Sequence, residues 1–262
     1  MNILDKIVIQ KRMEVAERKK NITENTLTES LDFNKPIHSL AKKLNENQYG
    51  IIAEFKRKSP SKPTINLYGN IKTITQGYQN AGASAVSILT DKQFFGGSDA
   101  DVIMARKNLN IPILRKEFII DQYQIIEAKS MGADVILLIA EILDANQIKE
   151  LATFAQSLEL EIILEIHTKD QLIKYHESIH HIGVNNRNLK NFTTDITQSI
   201  SLKPFLPSDA IPISESGLHT AEHIVKLIEY GYKGFLIGEH FMTSDDPSKA
   251  CGQFIQQINT LL

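Results

Sequence analysis

The chain opens on an amphipathic stretch. Up to residue 48, Ile3, Leu4, Ile7, Val8, Met13, Val15 and Ala16 recur at helical spacing among Lys, Glu and Arg, which predicts helix with one face turned to a partner surface. After Gln48 the texture changes. Short apolar, β-branched runs begin near Ile51, Val86, Pro112, Val135, Ile162, Ile182, Ile211 and Gly234, 20 to 35 residues apart. Longer amphipathic stretches between them predict helices over 71–81, 99–108, 122–131, 144–157 and 221–230. Gly82, Gly132 and Gly231 stand just past three of these, where a left-handed residue closes a helix, and Asp99 and Asp144 are the expected N-caps.

Runs that are apolar throughout, rather than alternating, imply strands buried on both faces and hence a parallel sheet covered by helices. Eight strand-plus-helix units in about 210 residues predict an α/β fold, a (β/α)8 TIM barrel. Residues 1–262 then form one barrel domain, with 1–48 an N-terminal helical extension lying across one mouth. An open doubly wound sheet is the alternative, but it calls for a glycine-rich phosphate turn after its first strand, and IIAEFKRKSPSK has none.

Composition narrows the class of function. With 262 residues, 42% of them hydrophobic, the chain is long enough to bury a large core without staples. Its net charge of −2 gives no bulk attraction to nucleic acid, so no nucleic-acid partner is expected. The one cysteine, Cys251, excludes an internal disulfide framework and a cysteine-rich zinc site. Residues 1–20 scatter charges and carry no apolar run of signal-peptide length. The longest apolar run, 135–140, is far short of a membrane span. The expectation is a cytoplasmic monomer with no membrane partner.

In such a barrel the chemistry sits where the strands end. The first strand finishes with Glu54 and Lys56, the third with Lys116, and the fifth carries Glu165. The sixth ends in Asn185, followed by Arg187; the seventh ends in Glu215-Ser216-Gly217 and the eighth in Gly238-Glu239. The second leads into Phe94-Phe95-Gly96-Gly97-Ser98. Glu54 and Glu165 lie inside otherwise apolar runs, where an unpaired charge is costly. Two lysines and three glutamates confined together shift one another's titration and can supply both an acid and a base near neutral pH. The loops after strands seven and eight commonly hold a phosphate in these barrels. Spacing and composition thus predict acid–base chemistry on a phosphorylated small molecule, with neither metal nor cofactor.

Three other features are set aside. The H-x-x-E-H pattern at His219 and His223 falls at the start of an outer helix, and three fixed positions carry little information. The pair His180-His181 precedes strand six and reads as an exposed loop. The cluster Lys56, Arg57, Lys58 and Lys62 lacks interleaved aromatics and reads as a mobile loop gripping an anionic substrate.

At these residues the sequence resembles indole-3-glycerol phosphate synthase, a (β/α)8 enzyme family of tryptophan biosynthesis. LDKIVIQKRMEVAERKK is similar to the family's N-terminal helix. IIAEFKRKSPSK, SILTDKQFFGGS, PILRKEFIID, GADVILLIA, LEIHT, IGVNNRNL, ISESGL and FLIGEHFM resemble its later segments in order and spacing over nearly the whole chain. Pro63 stands where the family usually has Gly, Asn188 where many members have Asp, and Glu239 where some carry Ser. The chain also lacks tryptophan, which some relatives place near the substrate.

The resemblance implies ring closure, decarboxylation and dehydration of 1-(2-carboxyphenylamino)-1-deoxyribulose 5-phosphate to indole-3-glycerol phosphate. It implies catalytic roles for Glu54, Lys56, Lys116, Glu165, Asn185 and Glu215. It places the anthranilate ring against Phe95, Leu189 and Leu236, the carboxylate near Arg187, and the phosphate on Ser216, Gly217, Gly238 and Glu239, with Ser59 in the loop beside them. The related phosphoribosylanthranilate isomerase is the alternative. It is disfavoured because a Cys and Asp pair would be expected there, and Cys251 lies in the last helix.

Overall fold

The computed structural model describes residues 3–188 and 192–262. Eight strands form a closed parallel barrel in chain order: β1 (Gly50–Phe55), β2 (Ala85–Leu89), β3 (Ile113–Lys116), β4 (Val135–Ile139), β5 (Glu161–Ile166), β6 (His181–Asn185), β7 (Ile211–Glu215) and β8 (Gly234–Ile237). The register closes through Gly50 opposite Gly234 and Ile52 opposite Leu236. Helices precede and separate the strands: α1 (Ile3–Asn21), α2 (Glu24–Thr28), α3 (Leu40–Glu46), α4 (Ile71–Asn80), α5 (Lys92–Phe95), α6 (Asp99–Arg106), α7 (Gln122–Ser130), α8 (Ala145–Ser157), α9 (Thr197–Leu202), α10 (Ala221–Glu229), α11 (Glu239–Met242) and α12 (Pro247–Leu261).

Period-two alternation sorts each strand into two cores. On β1, Ile51, Ala53 and Phe55 face the helices and join the outer cluster, with Tyr78, Ile237 and Phe241. Ile52 faces the axis and packs with Ala85, Leu114, Leu137, Ile163, Ile213 and Leu236. The same alternation turns Glu54 inward above Ile52, and Glu165 inward above Ile163. Glu54 and Glu165 thus bring charge into the barrel at its C-terminal mouth.

The sequence reading laid the N-terminal extension over one mouth; the structure places it at both ends. Leu40 and Leu44, one helical turn apart on α3, are fully buried in the inner core and plug the N-terminal end. A Cβ on Gly50 would stand 2.4 Å from Leu44, and one on Gly234 3.2 Å away, so small residues there admit the plug. Meanwhile Ile3, Leu4 and Ile7 of α1 reach the cavity at the C-terminal mouth. Lys11 anchors this helix: it is 1% exposed, and its Nζ lies 2.9 Å from Glu14, 3.1 Å from Asp91 and 3.0 Å from Glu117. Burial opposes that ammonium, but the three carboxylates outweigh it and hold its pKa above the ordinary lysine range.

Two local expectations are corrected. Ser98, not Asp99, caps α6, its side chain accepting from Ala100 N; Asp99 instead pairs with Arg18 and Arg115. His181 is no loop residue but the fully buried first residue of β6, with Nε2 2.8 Å from Glu161. Asp144 does cap α8, in a reciprocal box with Gln147.

Candidate active site

The cavity at the C-terminal mouth is lined by Glu54, Lys56, Ser59, Phe95, Lys116, Glu165, Asn185, Arg187, Ser216, Gly217, Leu236, Gly238 and Glu239, which are residues named from sequence at strand ends. Glu215 lies beneath, fully buried. Leu189 falls outside the described residues.

The polar centre is a chain of ion pairs. Lys56 Nζ lies 2.7 Å from Glu54 Oε1. Lys116 Nζ bridges Glu54 Oε2 at 3.2 Å and Glu215 Oε2 at 2.9 Å. Asn185 Nδ2 donates to Glu165 Oε1 at 3.1 Å. Burial opposes the Lys116 ammonium, yet Glu215, Glu54 and Glu165 overcome it and hold the pKa well above the lysine range. Glu54 is also buried, but its two lysines prevail and bring its carboxyl down to about 2.

Glu165 and Glu215 go the other way. Burial pushes both up, Glu215 to about 7, against the pull of Lys116, and each raised carboxyl feels other carboxylates nearby. Both carboxyls therefore hold a proton more readily than an ordinary glutamate. The site therefore holds one carboxyl drawn well down between two lysines and two carboxyls pushed toward protonation.

Two glycines make room for it. A Cβ on Gly238 would stand 2.4 Å from Glu54 Oε1, and one on Gly183 2.3 Å from Glu215 Oε1. Gly238 therefore makes room for the Glu54 carboxylate as well as for any ligand at the start of α11. In the Phe-Phe-Gly-Gly loop, Gly96 ends α5 in the left-handed region at φ 67°. A Cβ on Gly97 would collide with the Leu89 carbonyl. This turn sets the Phe95 ring 5.8 Å from that of Phe118 across the mouth. Ser216 and Gly217 both have positive φ, 70° and 71°, turning the chain sharply after β7.

The basic cluster after β1 is tied down rather than free. Arg57 forks onto Asp101, Nη2 to Oδ1 at 2.9 Å, and Lys58 Nζ donates to the Gln93 carbonyl at 2.9 Å. Lys62 reaches Glu239 at 3.4 Å, and Arg187 approaches the same carboxylate at 4.0 Å. The Glu239 side chain thus spans two rim cations, a position that its place at the end of a strand did not reveal. Sequence reasoning also missed His167, two residues past Glu165 and turned into the same cavity. The signal was there: in LEIHT the period of two puts His167 on Glu165's face.

A family model described as "Indole-3-glycerol phosphate synthase" matches residues 4–254. The chain belongs to the indole-3-glycerol phosphate synthase family. An indole-3-glycerol phosphate synthase of Bacteroides thetaiotaomicron is 44% identical over 98% of this chain and 99% of its own. One of Magnetococcus marinus is 40% identical over 97% and 98%. Among solved structures, the tryptophan synthase alpha subunit of Legionella pneumophila aligns with a TM-score of 0.62 at 13% identity, over 86% of this chain and 98% of that one. That likeness speaks to the barrel only. Membership in the synthase family sets aside the isomerase alternative.

Proposed function

We propose that this chain performs its family's reaction with the mouth residues in the roles that follow. It is an enzyme, a carboxy-lyase of tryptophan biosynthesis that forms indole-3-glycerol phosphate. The substrate is 1-(2-carboxyphenylamino)-1-deoxyribulose 5-phosphate. Its aromatic carbon attacks the chain ketone, carbon dioxide leaves, and loss of water completes the pyrrole ring.

Lys116 is the acid for ring closure. The observation that carries this is its position between Glu54 and Glu215, which keeps the ammonium charged at the mouth. Glu165, beside it, offsets charge on the developing intermediate and accepts a proton. Lys56 and Glu54, in contact at 2.7 Å, are the acid and base for dehydration. Asn185 and Glu215 orient Glu165, Lys116 and the substrate hydroxyls. Phe95 and Leu236 flank the aromatic ring, and Arg187 with Lys56 takes the carboxylate. Ser59, Ser216, Gly217, Gly238 and Glu239 surround the phosphate, largely through main-chain N–H groups. Glu239's carboxylate pairs with Lys62 and Arg187 and competes with the incoming anions for them.

No step calls for a metal. The chain works as one domain, a monomer in the cytoplasm; among the described residues no helix is long and apolar enough to cross a membrane. The test is direct. Purified protein given the substrate should develop indole fluorescence, unchanged by EDTA. Silence would remove the reading, and loss of signal with EDTA would overturn its metal-free part.

A further inference from the structure

His167 is buried at the mouth, with its side chain 9% exposed, and neither ring nitrogen has a hydrogen-bond partner among the described residues. Its Nε2 stands 3.7 Å from Glu165 Oε1, too far for a hydrogen bond. A buried imidazole without a protein partner is costly, and native sites rarely keep one without a use. Its main chain is held from both sides. Gln171 Oε1 accepts from His167 N at 2.6 Å, and Gln198 donates to the His167 carbonyl. The backbone is fixed while the ring is offered to the cavity.

We propose that His167 binds a hydroxyl of the substrate's sugar-derived chain, as a further residue of the ring-closing site. The inference rests on the reading of the mouth given above. The hydroxylated chain joins a phosphate at β7 and β8 to an aromatic ring near Phe95 inside one cavity, and His167 lines that cavity together with Glu165 and Asn185. Burial lowers the imidazole's pKa, with Lys116 adding to that and Glu215 and Glu141 opposing it, so the ring is neutral and carries one donor and one acceptor. A hydroxyl, itself donor and acceptor, matches that ring; a phosphate or carboxylate, which only accepts, does not.

His167→Leu keeps the volume and removes both unpaired nitrogens. The melting temperature should hold or rise, while KM rises about tenfold or more as a substrate hydroxyl loses its partner. His167→Asn, which retains a donor and an acceptor, should recover most of that affinity. An indolylpropyl phosphate, lacking both chain hydroxyls, should bind His167→Leu and the native enzyme equally. Equal weakening toward this analogue, or an unchanged KM, would overturn the proposal while leaving the synthase reading intact. Should the leucine variant fail to fold, ¹⁵N-histidine spectra of the native enzyme decide. Adding indole-3-glycerol phosphate should move one ring signal that is absent from His167→Asn, and no movement would refute the proposal.

Discussion

Glu161 and Glu165 lie four residues apart on β5, both turned into the barrel and both 6% exposed, yet they titrate in opposite directions. Burial pushes each up. At Glu161, hydrogen bonds from His181, Ser39 and the Ala41 N–H outweigh it and the pKa falls. At Glu165, Lys116 and Asn185 do not suffice and the pKa rises. The N-terminal end surrounds its carboxylate with hydrogen-bond donors. The mouth instead gathers three carboxyls around two lysines, and two of the three are pushed toward the protonated form. One strand thus carries a structural carboxylate at its base and, on our proposal, a reactive one at its tip, and the difference lies in the neighbours, not the residue.

The strongest way to break this contrast is Lys116→Met. Turnover should fall about 10²–10⁴-fold, the usual worth of a positioned acid. The substitution also strips Glu54, Glu165 and Glu215 of a shared cation, so the pKa values of Glu165 and Glu215 should climb further. A carboxyl whose folded pKa is raised stabilises the fold below its unfolded value and loses that contribution as pH rises through the folded one. The variant's melting temperature should therefore drop as pH is raised through neutrality, while the native enzyme changes less. Scanning calorimetry from pH 5 to 9 checks this.

At the other end, Leu44→Ala should cost about 2–5 kcal/mol by opening a cavity beneath the barrel, with kcat within about twofold of native. Urea titration beside an activity assay separates the two readouts. A collapse of kcat in a still-folded protein would show that the base reaches into the chemistry.

Gly238→Ala sharpens the picture of the mouth. The added methyl would press on Glu54 Oε1, and a displacement of that size should lower kcat by about 10–100-fold. KM should move less. A change confined to KM would mean that Gly238 serves the phosphate alone.

The smallest effect is expected at the rim. Glu239→Gln frees Lys62 and Arg187 from a half-exposed partner, a contact worth at most about 1 kcal/mol. KM should fall about two- to threefold, with a steeper dependence on salt. An unchanged salt dependence would mean that these cations do not meet the substrate.

Much of this was legible because it is local. Each strand announced itself by an apolar run, and the inward set of Glu54, Lys116, Glu165, Asn185 and Glu215 follows from strand ends in a closed barrel. What stayed hidden depends on contacts between distant segments. Leu40 and Leu44 read as one more amphipathic turn until the barrel base met them. His181 looked like a loop residue because its partner, Glu161, lies 20 residues away. Gly238 suggested a ligand's approach, whereas the nearest atom to its missing Cβ belongs to Glu54, on the strand next to β8. His167 went unnoticed because a single histidine at a strand end says nothing until both of its nitrogens are seen without a protein partner.

The most direct test compares Glu161→Gln with Glu165→Gln, measuring kcat and melting temperature on both. At the base, losing the charge that Ser39, Ala41 and His181 hold should cost about 1–3 kcal/mol, or roughly 3–10 °C for a chain of this size, with turnover intact. Because Glu161's folded pKa is depressed, that difference should shrink as pH falls through the folded value. At the mouth, Glu165→Gln should leave the melting temperature in place and cut kcat by about 10²-fold or more. If instead Glu165→Gln unfolds the protein while Glu161→Gln abolishes turnover, the division between a structural base and a reactive mouth is wrong.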